Sequence, residues 1–212
     1  FDVKDGTDEE NAEYFQQVSG GSRAIELGLI SLKGTRTLGI ILTLVALGIG
    51  GIILLNINSA NFSGTIQIAL AGLFLGYFYT ARPLRLVARR GLGELAVFLA
   101  FGPLLTLGTG YAIFDGDFGN SVHFINCLLL GIPLGLLTTN ILFINEFPDM
   151  KSDAKTGKNH LVVTFGKKTS RWIYFLFLTL AVTSSFYMYT EIGNMYLLIP
   201  TIFLTPEIPA KC

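Results

Sequence analysis

Charge is scarce in this chain. Only 14% of its 212 residues are Asp, Glu, Lys or Arg, and 51% are hydrophobic, where soluble domains carry about 25% charged residues. The mean hydropathy is +0.57. The shortfall lies in several nearly chargeless stretches, which excludes an ordinary soluble domain and predicts an integral membrane protein. Cysteine is almost absent. Cys127 sits in an apolar run and Cys212 is the last residue, so neither a disulfide framework nor a cysteine metal site is expected. The chain opens with acids rather than a basic segment followed by an apolar one, so no cleavable signal peptide is expected. Net charge is zero, and no nucleic-acid partner is expected.

What the chain has is long apolar runs. Six spanning segments are predicted: 38–55, 66–80 extended back through 62–65, 95–114 with Pro103 inside, 122–144, 172–189, and one from Met195 towards Pro206 and Pro209. About twenty residues make roughly 30 Å of helix, enough for the hydrocarbon core of a bilayer. The expected fold is therefore an all-α, polytopic transmembrane helix bundle, a single domain over 1–212. Residues 25–32 are apolar enough to lie at the membrane surface. Lys and Arg are missing from every second connection. They occupy Lys33 and Arg36, Arg82 to Arg90, and Lys151 to Arg171, but not the turns at 56–61, 115–120 or 191–194. By the positive-inside rule the basic loops face the cytoplasmic side.

One polar stretch stands between two of these runs. Residues 145–158 read N-E-F-P-D-M-K-S-D-A-K-T-G-K. Asn145, Asp149 and Asp153 are four apart, so on a helix they share one face. Two carboxylates and an amide suit a hard divalent cation, which takes oxygen ligands. Lys151, Lys155 and Lys158 set cations beside them, where an anionic ligand would be attracted. Pro148 cannot continue the hydrogen-bond ladder, so a kink or restart is expected there. A second acidic cluster opens the chain: Asp2, Asp5 and Asp8, then Glu9 and Glu10, with Gly6 permitting a turn. Loop charge puts this cluster, the arginine loop and the 145–158 stretch on one side of the membrane, where the two acidic clusters can converge. That arrangement matches a diphosphate held through Mg²⁺, which keeps few protein ligands and is shared with phosphate oxygens. A long apolar chain carrying the diphosphate could lie between the helices. Gly48, Gly50, Gly51, Gly72 and Gly76 would allow close helix packing.

These residues resemble the UbiA superfamily of intramembrane prenyltransferases, and within it the 1,4-dihydroxy-2-naphthoate polyprenyltransferases of menaquinone or phylloquinone synthesis. The second aspartate motif of that family, N-x-x-x-D-x-x-x-D followed by G-K, is similar to Asn145, Asp149, Asp153, Gly157 and Lys158. Leu161-Val162-Val163 and Gly166 are similar to its naphthoate-type continuation. The first motif looks like N-D-x-x-D-x-x-x-G-x-D, of which Asp2, Gly6 and Asp8 match the later part and the leading Asn-Asp pair is absent. Tyr79-Thr80 with Pro83, then Arg90-Gly91-Leu92-Gly93-Glu94, looks like the naphthoate-type connector, and 20–31 is similar to the segment after the first motif. The resemblance implies nine spanning helices, of which the first two and the last are missing here, so a fragment is expected. It also implies the roles. Asp2, Asp8, Asp149 and Asp153 would hold Mg²⁺ and the polyprenyl diphosphate. Arg90 and Lys158 would neutralise departing pyrophosphate, Asn145 and Tyr79 would orient substrate or metal, and Arg82 would contribute to substrate binding. Asp5 and Glu146 are lesser candidates.

The implied activity is Mg²⁺-dependent transfer of a polyprenyl group to an aromatic acceptor. 1,4-Dihydroxy-2-naphthoate is the first choice, with 4-hydroxybenzoate, homogentisate or a chlorophyllide as alternatives. The implied place is the plasma membrane, or a thylakoid or plastid membrane in a photosynthetic organism. CDP-alcohol phosphotransferases also use intramembrane aspartates, but their D-G-x-x-A-R pattern fails at Asp5-Gly6-Thr7-Asp8-Glu9-Glu10. A cation transporter would carry its carboxylates near the bilayer midplane, whereas these lie at helix ends. His123 reads as a structural or interfacial residue on the far side. His160 lies on the near side, and nothing in its spacing makes it a ligand.

Overall fold

The computed structural model describes residues 24–25 and 28–198. These form six helical segments, which we label α1 (Leu32–Asn56), α2 (Phe62–Thr80), α3 (Leu92–Phe101), α4 (Pro103–Ile113), α5 (Val122–Lys155) and α6 (Leu161–Ile192), the last broken at Gly166, where φ is 75° and ψ 160°. Short 3-10 turns at Ser59–Asn61, Leu86–Ala88 and Met195–Leu198 join or follow them. The described residues contain no β-strand, as expected of an all-α bundle. Five helical segments are long and apolar enough to cross a membrane when α3 and α4 are taken together as Leu92–Ile113. They correspond to the first five expected spans. Of the sixth, only the turn at Met195–Leu198 is described.

The helices start and stop for local reasons. Ser31 caps α1, its hydroxyl accepting a hydrogen bond from the Gly34 amide at 3.0 Å, which satisfies one of the free amides of a first turn. The expected third span is not one helix. Gly102 adopts φ −108° and ψ −104°, and Pro103 opens α4 as its first residue, where its missing N–H costs nothing. This break lies against α5. A Cβ added at Gly131 would stand 2.6 Å from the Cα and N of Pro103, so only glycine lets the two backbones approach this closely.

Helix α5 is the hub, packing against α3, α4 and α6. It differs from expectation at Pro148. The helix runs without interruption from Val122 through Pro133 and Pro148 to Lys155. Proline removes one backbone donor, and neighbouring helices in a membrane bundle hold the rest of the ladder together; α6 packs against α5. At 34 residues α5 is about 51 Å long. A hydrocarbon core of about 30 Å takes roughly twenty of those residues, and its charged residues are gathered in its last turns. Helix α1 is the opposite case. It buries none of its residues, as a helix apolar on all sides does when lipid surrounds it.

Candidate active site

The C-terminal turns of α5 carry Asn145, Asp149 and Asp153 on one continuous helix, hence on one face one turn apart. Asn145 and Asp149 are half-buried, and Asp153 is 8% exposed. The Ser152 hydroxyl turns inward and donates to the Asp149 carbonyl at 2.9 Å. The helix ends in a reversal. Gly157 takes φ 76°, the left-handed conformation that favours glycine. The Lys158 amide then donates to the Asp153 carbonyl at 2.9 Å, and the Gly157 amide to Ala154 at 3.4 Å. This reversal folds Lys158 back along the helix, with its Nζ 3.8 Å from Asp153 Oδ1. The G-K pair that follows the aspartates therefore has a physical role. The glycine makes the turn, and the lysine returns to the second aspartate.

His160 follows directly and is the N-cap of α6, its Nδ1 3.4 Å from the Val163 amide. It is 2% exposed. Its Nε2 lies 3.2 Å from Asp153 Oδ2, and its Nδ1 lies 3.2 Å from Glu146 Oε2. The Glu146 contact is an electrostatic approach rather than an aligned hydrogen bond, since the Val163 amide also points at Nδ1. Burial alone would push the imidazole down. The hydrogen bond to Asp153, the close approach of Glu146 and the charge of both carboxylates outweigh burial and raise it to about 9. Glu94, in the first turn of α3, closes the cluster from the other side. Its Oε1 accepts the Leu161 amide at 2.7 Å, while its Oε2 is buried with no hydrogen-bond partner. Glu94, Glu146 and His160 bring one ligand atom each within 4.8 Å of one another.

The arginine loop meets this region. The Asn159 amide donates to the Ala88 carbonyl at 3.3 Å, and Arg89 pairs with Asn159 as an isolated parallel bridge. Arg89 also folds the loop over itself, donating from Nη2 to the Pro83 carbonyl at 3.1 Å and from Nε to Leu84. The Arg82–Pro83 peptide is cis. Arg82 and Arg90 are exposed, and Tyr79 is half-buried in the last turn of α2. Of the expected site residues, Asn145, Asp149, Asp153 and Lys158 are thus brought together. Tyr79, Arg82 and Arg90 flank the loop that docks beside them. Asp2, Asp5 and Asp8 lie outside the described residues.

Two residues of the cluster were not expected at a site. Nothing in the spacing of His160 makes it a ligand. It counts only because the turn at Gly157 brings the chain back. Glu94 was visible as a lone carboxylate at the edge of an apolar run, a feature that by itself asks for a partner. Glu146, a lesser candidate, is buried beside His160. His123 is an exposed ring at the other end of α5, 5.2 Å from the Phe114 ring.

The donor set fits a hard cation. Asp149 and Asp153 supply carboxylate oxygens from adjacent turns, and Asn145 an amide oxygen one turn earlier, without sulfur.

The UbiA prenyltransferase family matches residues 20–206. Over 168 residues the chain is 30% identical to the chloroplastic 2-carboxy-1,4-naphthoquinone phytyltransferase of Arabidopsis thaliana, covering 73% of this chain and 43% of that protein. It is 30% identical over 167 residues to the 1,4-dihydroxy-2-naphthoate octaprenyltransferase of Haemophilus influenzae, covering 76% and 51%. It is 32% identical over 152 residues to the chloroplastic chlorophyll synthase of Avena sativa, covering 71% and 38%. The chain spans about half the length of these relatives, or less. No solved structure matches it. On the extent of the family match, with spanning helices and an aspartate-bearing helix end to accompany it, this chain belongs to the UbiA prenyltransferase family.

Proposed function

We propose that the full-length protein transfers a polyprenyl group from a polyprenyl diphosphate to an aromatic acceptor, that the acceptor is 1,4-dihydroxy-2-naphthoate, and that the product serves menaquinone or phylloquinone synthesis. The observation that carries the reading is the end of α5. Asp149 and Asp153 stand one turn apart on one helix face, and Lys158 is folded back to 3.8 Å from Asp153. Asp149 and Asp153, with Asp2 and Asp8 from the start of the chain, would hold Mg²⁺ with the diphosphate. When bound, Mg²⁺ supplies charge neutralisation for the diphosphate as it leaves. Lys158 and Arg90 add fixed positive charge for departing pyrophosphate, and Asn145 and Tyr79 orient the reactants. The carbon–oxygen bond to the diphosphate breaks, and the electron-rich ring attacks the allylic cation. On the naphthoate the ring carboxylate leaves as CO₂. The aspartates lie within the last turns of a 34-residue helix, which favours a headgroup-level site over a midplane transport site. The basic loops face the cytoplasmic side, and the site faces with them.

The naphthoate assignment rests on named relatives at about 30% identity, and a chlorophyll synthase is similar at 32%. An assay of the full-length protein against a panel of acceptors decides it. 1,4-Dihydroxy-2-naphthoate is expected to be prenylated at least about tenfold faster than 4-hydroxybenzoate, a difference of about 1.4 kcal/mol. A better rate with 4-hydroxybenzoate, homogentisate or a chlorophyllide overturns the acceptor and leaves prenyl transfer standing. No transfer to any acceptor overturns the function.

A further inference from the structure

We propose that His160 is a positioning residue for Asp153. Seated by Glu94 and Glu146, it fixes the plane of the Asp153 carboxylate so that Oδ1 is the oxygen offered to a divalent cation. The inference rests on the reading of Asp153 as a cation ligand and goes beyond it.

The geometry is a chain of contacts that crosses three helices. Glu94 on α3 accepts the Leu161 amide at 2.7 Å and so fixes where α6 begins. His160 is the residue before Leu161, and its place follows from that contact. Glu146 on α5 lies 3.2 Å from one ring nitrogen, and Asp153, two turns later on α5, lies 3.2 Å from the other. The ring is therefore held at both ends. An aspartate carboxylate otherwise turns freely about its last bond, because such torsions have broad minima. The contact to Oδ2 removes that freedom. Oδ1 then faces the side from which Lys158 approaches at 3.8 Å, the oxygen left to meet an ion. An imidazole that orients a ligating carboxylate is a second layer of contacts around a metal, and losing such a layer costs about 10–100-fold in metal affinity.

The sign of the effect separates positioning from simple charge. A protonated ring 3.2 Å from Asp153 would repel a second cation. If His160 acted only by its charge, removing it would tighten metal binding. If it positions Asp153, removing it weakens binding. The probe is Mn²⁺, titrated into the purified full-length protein and followed by the loss of the free-ion electron paramagnetic resonance signal. His160→Ala is expected to weaken Mn²⁺ binding by about 10–100-fold. His160→Gln, which keeps an N–H donor near Oδ2, should recover part of that loss. Glu146→Gln, which loosens the other end of the ring, should weaken binding severalfold. Thermal melting in detergent identifies any variant that has lost its fold, and His160→Gln and Glu146→Gln carry the test if His160→Ala does not fold.

Asp153→Asn is the control for the underlying reading. If Asp153→Asn lowers Mn²⁺ affinity while the folded His160 and Glu146 variants bind as well as the parent or better, positioning is overturned and Asp153 remains a ligand. If Asp153→Asn binds Mn²⁺ like the parent, the ligand assignment fails and positioning with it. A stoichiometric metal that co-purifies with the parent and is lost from Glu94→Gln also overturns the proposal. His160 would then be a ligand with Glu94 and Glu146 rather than a support for Asp153.

Discussion

Two buried polar clusters sit at opposite ends of the spanning helices, and they do different things with the same burial. At one end Asn61 is fully buried. Its amide donates to the Phe114 carbonyl at 3.0 Å and its oxygen accepts the Phe118 amide at 2.9 Å. It ties the start of α2 to the turn before α5, is neutral, and meets backbone groups on both sides. At the other end Glu94, Glu146 and Asp153 surround the ring of His160. That cluster is charged, acids outnumber the histidine, and Glu94 keeps a buried oxygen with no hydrogen-bond partner. A buried polar group satisfied by the backbone is explained by the fold alone. Bonding capacity left over, next to a helix face with two more oxygen ligands, is what a site looks like.

The sharpest way to break this contrast is to remove charge from the α5 end while keeping shape. Asp149→Asn or Asp153→Asn in the full-length protein is expected to lower turnover by about a hundredfold or more, the scale of losing a central electrostatic contact to developing charge. Asp115→Asn, in the turn at the Asn61 end, should stay near the parent rate. Steady-state prenyl transfer measures all three. Equal losses would erase the difference between the ends and leave the α5 assignment without support.

The next largest effect should fall on stability alone. Asn61→Ala leaves the Phe118 amide and the Phe114 carbonyl buried without their partner. Each such group costs about 1–3 kcal/mol, so a loss of about 2–6 kcal/mol is expected, read as a lower melting temperature in detergent. Turnover per folded molecule should be unchanged. A fall in turnover at constant folded fraction would show that the Asn61 end does more than hold helices together.

This contrast also marks where sequence reading succeeds. Apolar runs located the spans, because a bilayer demands about twenty apolar residues whatever their packing. The spacing of Asn145, Asp149 and Asp153 was legible because a helix turns a four-residue interval into a face. The break at Gly102–Pro103 was not placed, because proline within an apolar run is compatible with both a kink and a restart. At Pro148 the same ambiguity fell the other way, since α6 packs along α5 and the helix continues. His160 and Glu94 were illegible as partners. Their meeting depends on the reversal at Gly157 and on the Leu161 amide reaching Glu94 across 67 residues of sequence. A spacing rule reads along one element and cannot see a contact closed by a turn between three.

The smallest effect is expected at His123, and it tests whether a histidine alone marks a site. His123 lies in the first turn of α5, is exposed, and stacks its ring 5.2 Å from Phe114 at 49°. His160 lies just beyond the other end of the same helix and is buried among carboxylates. An exposed ring contact of this kind adds about 0.5–1.5 kcal/mol at most, and part of it survives through the neighbouring Phe114–Phe118 pair, whose rings are 5.8 Å apart. His123→Ala should therefore lower stability by under about 1 kcal/mol and leave both turnover and Mn²⁺ affinity at parent values. A tenfold loss of turnover in a folded His123→Ala protein would place reacting or substrate-binding groups at the Asn61 end, and the division between a structural end and a chemical end would fail.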